Sequence, residues 1–458
     1  MSTTINKRIT LMLFLFLAGT VQLSAQQAVI DNYIREAFAN NDGIKQQQVQ
    51  LEKAMYKLSE ARSLFLPGVS LLGTYTRANG GRTIDLPIGD LLNPVYSTLN
   101  QLTASNNFPQ IKNASILLNP DNFYDAKFRT TLPLINAEIY YNKQIRKELI
   151  TQQQAAVNVY KRELVRNIKS AYYMYYQAGK AVEIYRNSLT LVNENIRINQ
   201  SLVNNGVRNT TALTRSQSEK QKIEALITQA ENNSKNAQAY FNFLLNKKLD
   251  EQIIIDTTAL QADAADLAAA TVTAGEREEL TQLKTGIAAY ALGAKMEKAY
   301  IIPKLNTFLD LGSQGFDWQL NNKSQYYMAG INLQWDLFAS GRNTYKRKQA
   351  ESEVKYAQLQ LDNTEKALQL ALEQATNNYA TAVSNNRSAG TQLALAEKYY
   401  NDQVKVYKEG QLLYIELLDA LNQLTNARIQ LSITRANVLT TLADLERTRA
   451  TYPINTNN

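Results

Sequence analysis

Hydrophobic positions recur every seven residues along two stretches of this chain. Val354, Leu361, Leu368, Ala375, Ala382, Ala389 and Ala396 make one row, interleaved with Ala350, Ala357, Thr364 and Ala371. Leu417, Leu424, Leu431, Val438 and Leu445 make a second, with Ala420, Ala427, Thr434 and Thr441 three places after the first four. A seven-residue apolar repeat is the seam of a packed coiled coil, and small residues within it let helices approach closely. Prolines set the limits of these helices. Pro67, Pro87, Pro94, Pro109, Pro120 and Pro133 fall in one early block, and only Pro303 and Pro453 follow. No breaker therefore interrupts Leu134 to about Asn204 or Gly341 to about Lys408, each of which predicts a helix on the order of 100 Å long.

Between the helical stretches the period changes to two. Tyr327, Ala329, Ile331, Leu333, Trp335 and Leu337 alternate with Asn332, Gln334 and Asp336, which predicts a strand with one apolar and one polar face. Tyr124, Ala126, Phe128, Thr130 and Leu132 alternate in the same way with Asp125, Lys127 and Arg129. Val69 to Thr76 and Leu305 to Leu311 are fainter versions. Each segment approaches the roughly 9 to 11 residues of a tilted transmembrane strand, and a soluble sandwich would not separate its strands by helices of about 70 residues.

The pattern is duplicated. Ala61-Arg-Ser-Leu-Phe-Leu-Pro67 and Glu297-Lys-Ala-Tyr-Ile-Ile-Pro303 each lead into a strand, and each repeat then runs strand, loop, strand, long helix, glycine turn, helix. Gly206 and Gly410 occupy corresponding turns, as expected where a helix ends in a left-handed cap. Two repeats give four strands, too few to close a barrel. A lipid-facing sheet must close, because unpaired backbone groups cannot sit in hydrocarbon. Three copies, with 12 strands, are the smallest assembly expected to leave a lumen, since barrels of about 8 strands fill with side chains.

Composition narrows the chemistry. The 458 residues include no Cys and no His, so zinc sites, thiol nucleophiles, disulfides and Ser-His-Asp triads are excluded. No catalytic, cofactor-binding or metal site is expected. The N-terminus has a basic start at Lys7 and Arg8, an apolar run from Ile9 to Ala18, and Leu23-Ser24-Ala25 before Gln26, the order of an export signal cleaved after Ala25. Removing it lowers the formal charge from +8 to +6, spread through Gln- and Asn-rich helices without a concentrated patch. No nucleic-acid partner is expected.

The duplicated Leu-Pro strand entry, Gln334-Trp335-Asp336-Leu337-Phe338 followed by Ser340-Gly341-Arg342, and Tyr407-Lys-Glu-Gly410 followed by Glu416-Leu-Leu-Asp419-Ala420 resemble the TolC-type outer-membrane efflux proteins. The resemblance spans roughly Val29 to Arg449. It implies a mainly α protein with a transmembrane β-barrel: a homotrimer with one 12-stranded barrel, continued by a periplasmic coiled-coil tunnel. It also implies a passive exit duct in the outer membrane that docks with a periplasmic adaptor and an inner-membrane pump. On this reading residues 1–25 are the signal peptide, 26–66 periplasmic helices, and 67–133 the first barrel hairpin with a long extracellular loop, 77–122. Residues 134–246 form the first tunnel hairpin, 247–275 an equatorial region, 276–302 a periplasmic helix, 303–338 the second barrel hairpin, 339–450 the second tunnel hairpin and 451–458 a tail.

The resemblance also gives residues roles. Glu416 and Asp419, three apart on one helix face, would ring the tunnel entrance with six carboxylates in a trimer, favouring cations. The turns at Gly206 with Arg208 and at Gly410 with Leu412 would be the adaptor-docking tips. Leu412 stands where some family members carry a basic residue that latches the entrance, so a latch would be built differently here. Asn332, Gln334 and Asp336 would face the barrel lumen. Tyr327, Trp335, Lys143 and Lys346 would mark the lipid interfaces. Leu92, Val95, Tyr96, Leu99 and Leu102 have helical spacing inside loop 77–122, predicting a short amphipathic helix over the outer mouth. The tyrosines Tyr172, Tyr173, Tyr175 and Tyr176 are expected to pack between helices. Two other classes compete: a coiled-coil adaptor bridging the membranes, which needs no lipid-facing strands, and a carboxylate-based hydrolase, which needs paired acids in a pocket.

Overall fold

The computed structural model describes residues 28–256 and 276–454; the expected signal segment and most of the expected equatorial region fall in residues 1–27 and 257–275, which with 455–458 lie outside these. The chain divides into two compact units, one of Tyr56–Lys147 with Ala289–Glu353, the other of Met1–Met55, Glu148–Ala288 and Val354–Asn458.

The first unit is built on a sheet. Its strands are β1 (Gly68–Thr76), β4 (Phe123–Ile135), β5 (Lys304–Phe316) and β6 (Gln325–Gln334), in the order β1-β4-β5-β6 and antiparallel throughout. The central pair, β4 with β5, joins the two repeats. The sheet is open, with β1 and β6 at its edges. Alternation sends Leu71, Phe128, Leu311, Tyr327 and Ile331 to one face, where all are exposed. The opposite face carries the charged residues Asp125, Lys127, Arg129 and Asp310, with Leu72, Phe308 and Met328 among them. The last predicted strand is shorter than its alternation suggests: it stops at Gln334, opposite Lys304, so Trp335, Asp336 and Leu337 lie beyond it. The partner strand is preceded by Pro303, which has no N–H to extend the ladder.

Loop 77–122 is not structureless. It contains the paired strands β2 (Thr83–Leu86) and β3 (Ala114–Leu117) and the helix α3 (Ile88–Thr103). The polar side of α3 is stitched to the following segment: Asn93 bonds the backbone of Ile111 in both directions, at 2.8 and 2.9 Å, and Asn100 does the same with Phe108. Leu91, Val95 and Leu102 are left exposed on the other side.

Helices make the second unit. They are α1 (Ala28–Asn40), α2 (Asp42–Ser63), α4 (Ala137–Asn204), α5 (Thr211–Leu244), α6 (Glu278–Lys298), α7 (Arg342–Lys408) and α8 (Tyr414–Arg449), of which α2, α4, α6 and α7 also contribute residues to the first unit. The 68 and 67 residues of α4 and α7 match the two proline-free stretches. Along α7 the buried seam includes Ala357, Leu361, Ala375, Ala382 and Ala389, all heptad positions, together with Tyr379, Tyr400 and Tyr407, which the heptad row omits. Along α8, Leu417, Ala420, Leu424, Thr434, Val438 and Leu445 are buried.

One core gathers Ile34, Ile44, Ile168, Phe241 and Leu245 from α1, α2, α4, α5 and the residue after α5. Tyr172 and Tyr176 pack into it, with the Tyr172 ring 5.9 Å from Phe241. Residues 247–256 continue without helix, and Ile253 and Ile255 pack against this core. The chain's end is tied here as well. Ile454 is buried, and the Tyr452 hydroxyl donates to Asp31 at 3.0 Å.

Candidate functional site

Three places hold the residues singled out by the sequence: the helix-hairpin tips, the two faces of the sheet, and the end of the sheet where strands give way to helices.

Both tips are made the same way. Gly206 and Gly410 adopt φ of 68° and 77°, a conformation that is cheap only for glycine. In each, the glycine N–H reaches back three residues, to Val203 or Tyr407, and the next N–H reaches back five, to Leu202 or Val406. This paired pattern satisfies carbonyls that the helix end would otherwise leave unbonded. The tips are then joined by Arg208. Its guanidinium donates to the carbonyl of Leu412 at 2.6 Å and to that of Gly410 at 3.4 Å, and lies 4.7 Å from the centre of the Tyr407 ring.

Behind this clasp the two hairpins share a buried patch of Val192, Ile223, Tyr400, Tyr407, Tyr414, Leu417, Leu421 and Leu424. Its polar members pair across helices. The Tyr407 hydroxyl donates to Asn199, the Asn199 amide donates to Ser216 at 3.2 Å, and the hydroxyls of Ser188 and Thr425 lie 2.8 Å apart. Burial pushes the phenols of Tyr400 and Tyr407 up and that of Tyr414 to about 12, so all three stay neutral.

Glu416, in the first turn of α8, and Asp419 are both exposed; Asp419 accepts a 2.6 Å hydrogen bond from Gln423, one turn on. Within one chain they make no closed site. Among the described residues, no group of three or more carboxylates gathers to hold a metal ion.

On the sheet, cross-strand register puts Asn332 and Gln334 on the same face as Asp125, Lys127, Arg129, Asp310 and Tyr326. That face is internally neutralised. Arg129 grips Asp310, directly opposite, through Nε and Nη2 at 2.8 and 2.6 Å, and Asp310 is 1% exposed. Asp125 is held by Lys127 at 2.6 Å and by the Tyr326 hydroxyl at 2.7 Å. Asp336, expected beside them, instead lies outside the strand, 3.8 Å from Arg342.

Tyr327 and Trp335 sit toward opposite ends of the sheet, both exposed. The loop end also carries an aromatic cluster of which alternation singled out only Tyr124: Trp318 stacks on Tyr75 and Tyr124, with centroids 5.2 and 5.4 Å away, and Phe123 meets Phe316. Lys143 lies 5.6 Å from the Phe65 ring, and Lys346 is exposed in the first turns of α7. No described helix is long and apolar enough to cross a membrane.

Comparison with known proteins matches this architecture. Residues 259–449 fit the model of a family described as outer membrane efflux protein. No curated protein sequence matches the chain. The structure aligns with CusC, which forms a transmembrane channel, at a TM-score of 0.74 and 13% identity over 92% of each chain. It aligns with the CmeC outer membrane channel of Campylobacter jejuni at a TM-score of 0.70 and 13% identity, over 92% of this chain and 85% of that one. The outer membrane protein VceC of Vibrio cholerae gives 0.70 and 13%, over 92% and 96%. The resemblance to the outer membrane efflux proteins holds. It is a resemblance of fold across nearly the whole chain and of sequence in the second repeat, where the Gly410 turn and the Glu416 to Ala420 run lie.

Proposed function

We propose that this protein is the passive exit duct of an export system in the outer membrane, moving small molecules or proteins outward and catalysing no reaction. The observation that carries the reading is the open four-stranded sheet with one apolar, exposed face and one polar, ion-paired face. An apolar sheet face of this kind suits hydrocarbon, but its two free edges do not. Three copies pairing β1 of one with β6 of the next close a 12-stranded barrel, with Asn332, Gln334 and the Arg129–Asp310 pair turned to the lumen.

The coiled-coil helices then form the periplasmic tunnel. The tips at Gly206 and Gly410 meet a periplasmic adaptor, which couples the duct to an inner-membrane pump that supplies energy and substrate choice. Opening separates the hairpins at the tips. Arg208 takes the place of the latch cation absent at Leu412, acting from the opposite tip on backbone carbonyls. Glu416 and Asp419 from three copies line the entrance and favour cations.

Single-particle imaging of the detergent-extracted protein tests the reading. A threefold particle with a lumen is the expected result. A rod without a barrel would return the chain to the adaptor class.

A further inference from the structure

The end of the sheet where strands become helices carries more positive charge than folding asks for. All four strands meet their helical neighbours at this end: β1 and β5 begin here, at Gly68 and Lys304, and β4 and β6 finish here, at Ile135 and Gln334. β4 and β6 each pair with β5, so α4 and α7 leave the sheet about 10 Å apart. Within its first three turns α4 bears Lys143, Arg146 and Lys147, and α7 bears Arg342, Lys346, Arg347 and Lys348.

This is the wrong end of a helix for cations. The N-terminal pole is already positive and favours Asp or Glu, as α6 shows with Glu278 and Glu279. The first turn of α7 has no acid, and the one in α4, Glu138, is taken by Lys304 at 2.8 Å. Counter-ions are few. Arg342 reaches Asp336 at 3.8 Å and Arg347 reaches Glu351 at 3.9 Å, whereas Lys346 and Lys348 make no ion pair among the described residues and are exposed. Glu351, which Lys348 also faces electrostatically, is already paired with Lys298 at 3.0 Å, so no ion pair among the described residues accounts for Lys346 and Lys348.

The residues beside them indicate what does. Phe65, Leu66, Ile135, Ile301, Leu337 and Phe338, from all four strand junctions, are exposed at the same end of the sheet as the cations, and Ile135 lies opposite Leu305 on its apolar face. An apolar band ending in a row of unpaired ammonium groups is complementary to one leaflet of a bilayer, acyl chain first and phosphate next. We propose that this basic collar binds the phosphodiester headgroups of anionic phospholipids in the leaflet on the helical side, fixing the depth of the sheet in the membrane. The inference rests on the reading of the sheet as membrane-spanning.

The chain has two tryptophans, Trp318 at the loop end and Trp335 at the collar, so Trp318→Phe leaves a single donor beside the proposed site. Full-length protein in neutral phosphatidylcholine bilayers is titrated with dansyl-labelled phosphatidylglycerol or dansyl-labelled phosphatidylcholine, and energy transfer from Trp335 is recorded. The expected result is transfer to the anionic lipid at markedly lower mole fraction. Each cation near an anionic surface is worth about fivefold in affinity, so Lys346→Gln with Lys348→Gln should cut the preference by about 25-fold, while Lys→Arg at both should keep it. Inorganic phosphate in excess should not compete. Equal transfer to both lipids, a preference the glutamines leave intact, or displacement by phosphate overturns the collar while leaving the membrane reading in place. Transfer to neither lipid overturns the membrane reading itself.

Discussion

The helical unit is held together in two places by different chemistry. Around Phe241 the core draws on α1, α2, α4 and α5 and is flanked by a dense set of ion pairs. Arg162 binds Glu278 at 2.5 and 2.6 Å and the Tyr452 carbonyl at 2.9 Å, Lys169 binds Glu446 at 2.5 Å, and Arg447 binds Glu279 at 2.7 Å. Near the tips, by contrast, the hairpins are joined by the Tyr407 hydroxyl on Asn199, the Ser188–Thr425 hydroxyl pair and one arginine on backbone carbonyls. The first place ties many segments with largely buried charges that are costly to leave without their partners. The second ties two hairpins with a few neutral hydrogen bonds, each worth about 1 kcal/mol net, and one partly exposed charged donor, Arg208, all of which water can replace. The difference separates a fixed girdle from an interface that can part and re-form.

The largest effect should come from breaking the girdle. Arg162 is 9% exposed, so Arg162→Ala strands Glu278 and should cost about 3 to 5 kcal/mol, visible as a large fall in the thermal unfolding midpoint. A loss near that of a surface ion pair would show that the girdle is not the stronger tie.

Acid should weaken the same region next. Burial alone would raise the Glu279 carboxyl, but hydrogen bonds from Arg277 and Arg447 outweigh it and hold the group at about 2. A carboxyl held below its unfolded value of about 4.5 stabilises the fold above that pH, and the contribution, about 3 kcal/mol, fades as pH falls toward 2. Glu279→Gln should therefore flatten the acid side of a stability profile, and an unchanged profile would remove Glu279 from the account.

At the tips, Tyr407→Phe deletes one hydrogen bond to Asn199 and should cost about 1 to 2 kcal/mol, because the Asn199 oxygen stays buried. Its sharper readout is conductance in planar bilayers, which should rise. Arg208→Ala should change stability by less than about 1 kcal/mol, since its acceptor carbonyls can turn to water, yet raise conductance at least as much. Smallest in stability are Glu416→Gln and Asp419→Asn, both exposed, which should leave unfolding unchanged and reduce cation preference. If these two leave ion selectivity intact, the acidic entrance is wrong.

Much of this was legible in the chain, for identifiable reasons. Helix α4 follows from the absence of proline, and α7 from that absence together with its heptads, signals that accumulate over nearly seventy residues. The strands follow from alternation, but their ends do not: the pattern runs on through Trp335 and Leu337, whereas pairing stops where Pro303 removes a donor from the neighbouring strand. The seam tyrosines at 379, 400 and 407 were missed because an amphipathic ring reads equally well as core or surface until a partner for its hydroxyl is known. Arg208 was legible as a tip residue but not as a clasp, since its acceptors are backbone carbonyls some two hundred positions away, which carry no sequence signal. The Arg129–Asp310 pair was hidden likewise, its halves lying in different repeats.

The two open edges of the sheet have a consequence for how the molecule comes into being. If the sheet spans a bilayer as proposed, a single chain has no stable solitary state there, because each edge would leave a row of amides and carbonyls facing lipid. Insertion and oligomerisation then become a single event. Its rate should climb more steeply than in proportion to the amount of chain present, so a cell making too little of this protein would lose its pores altogether before it merely had fewer of them.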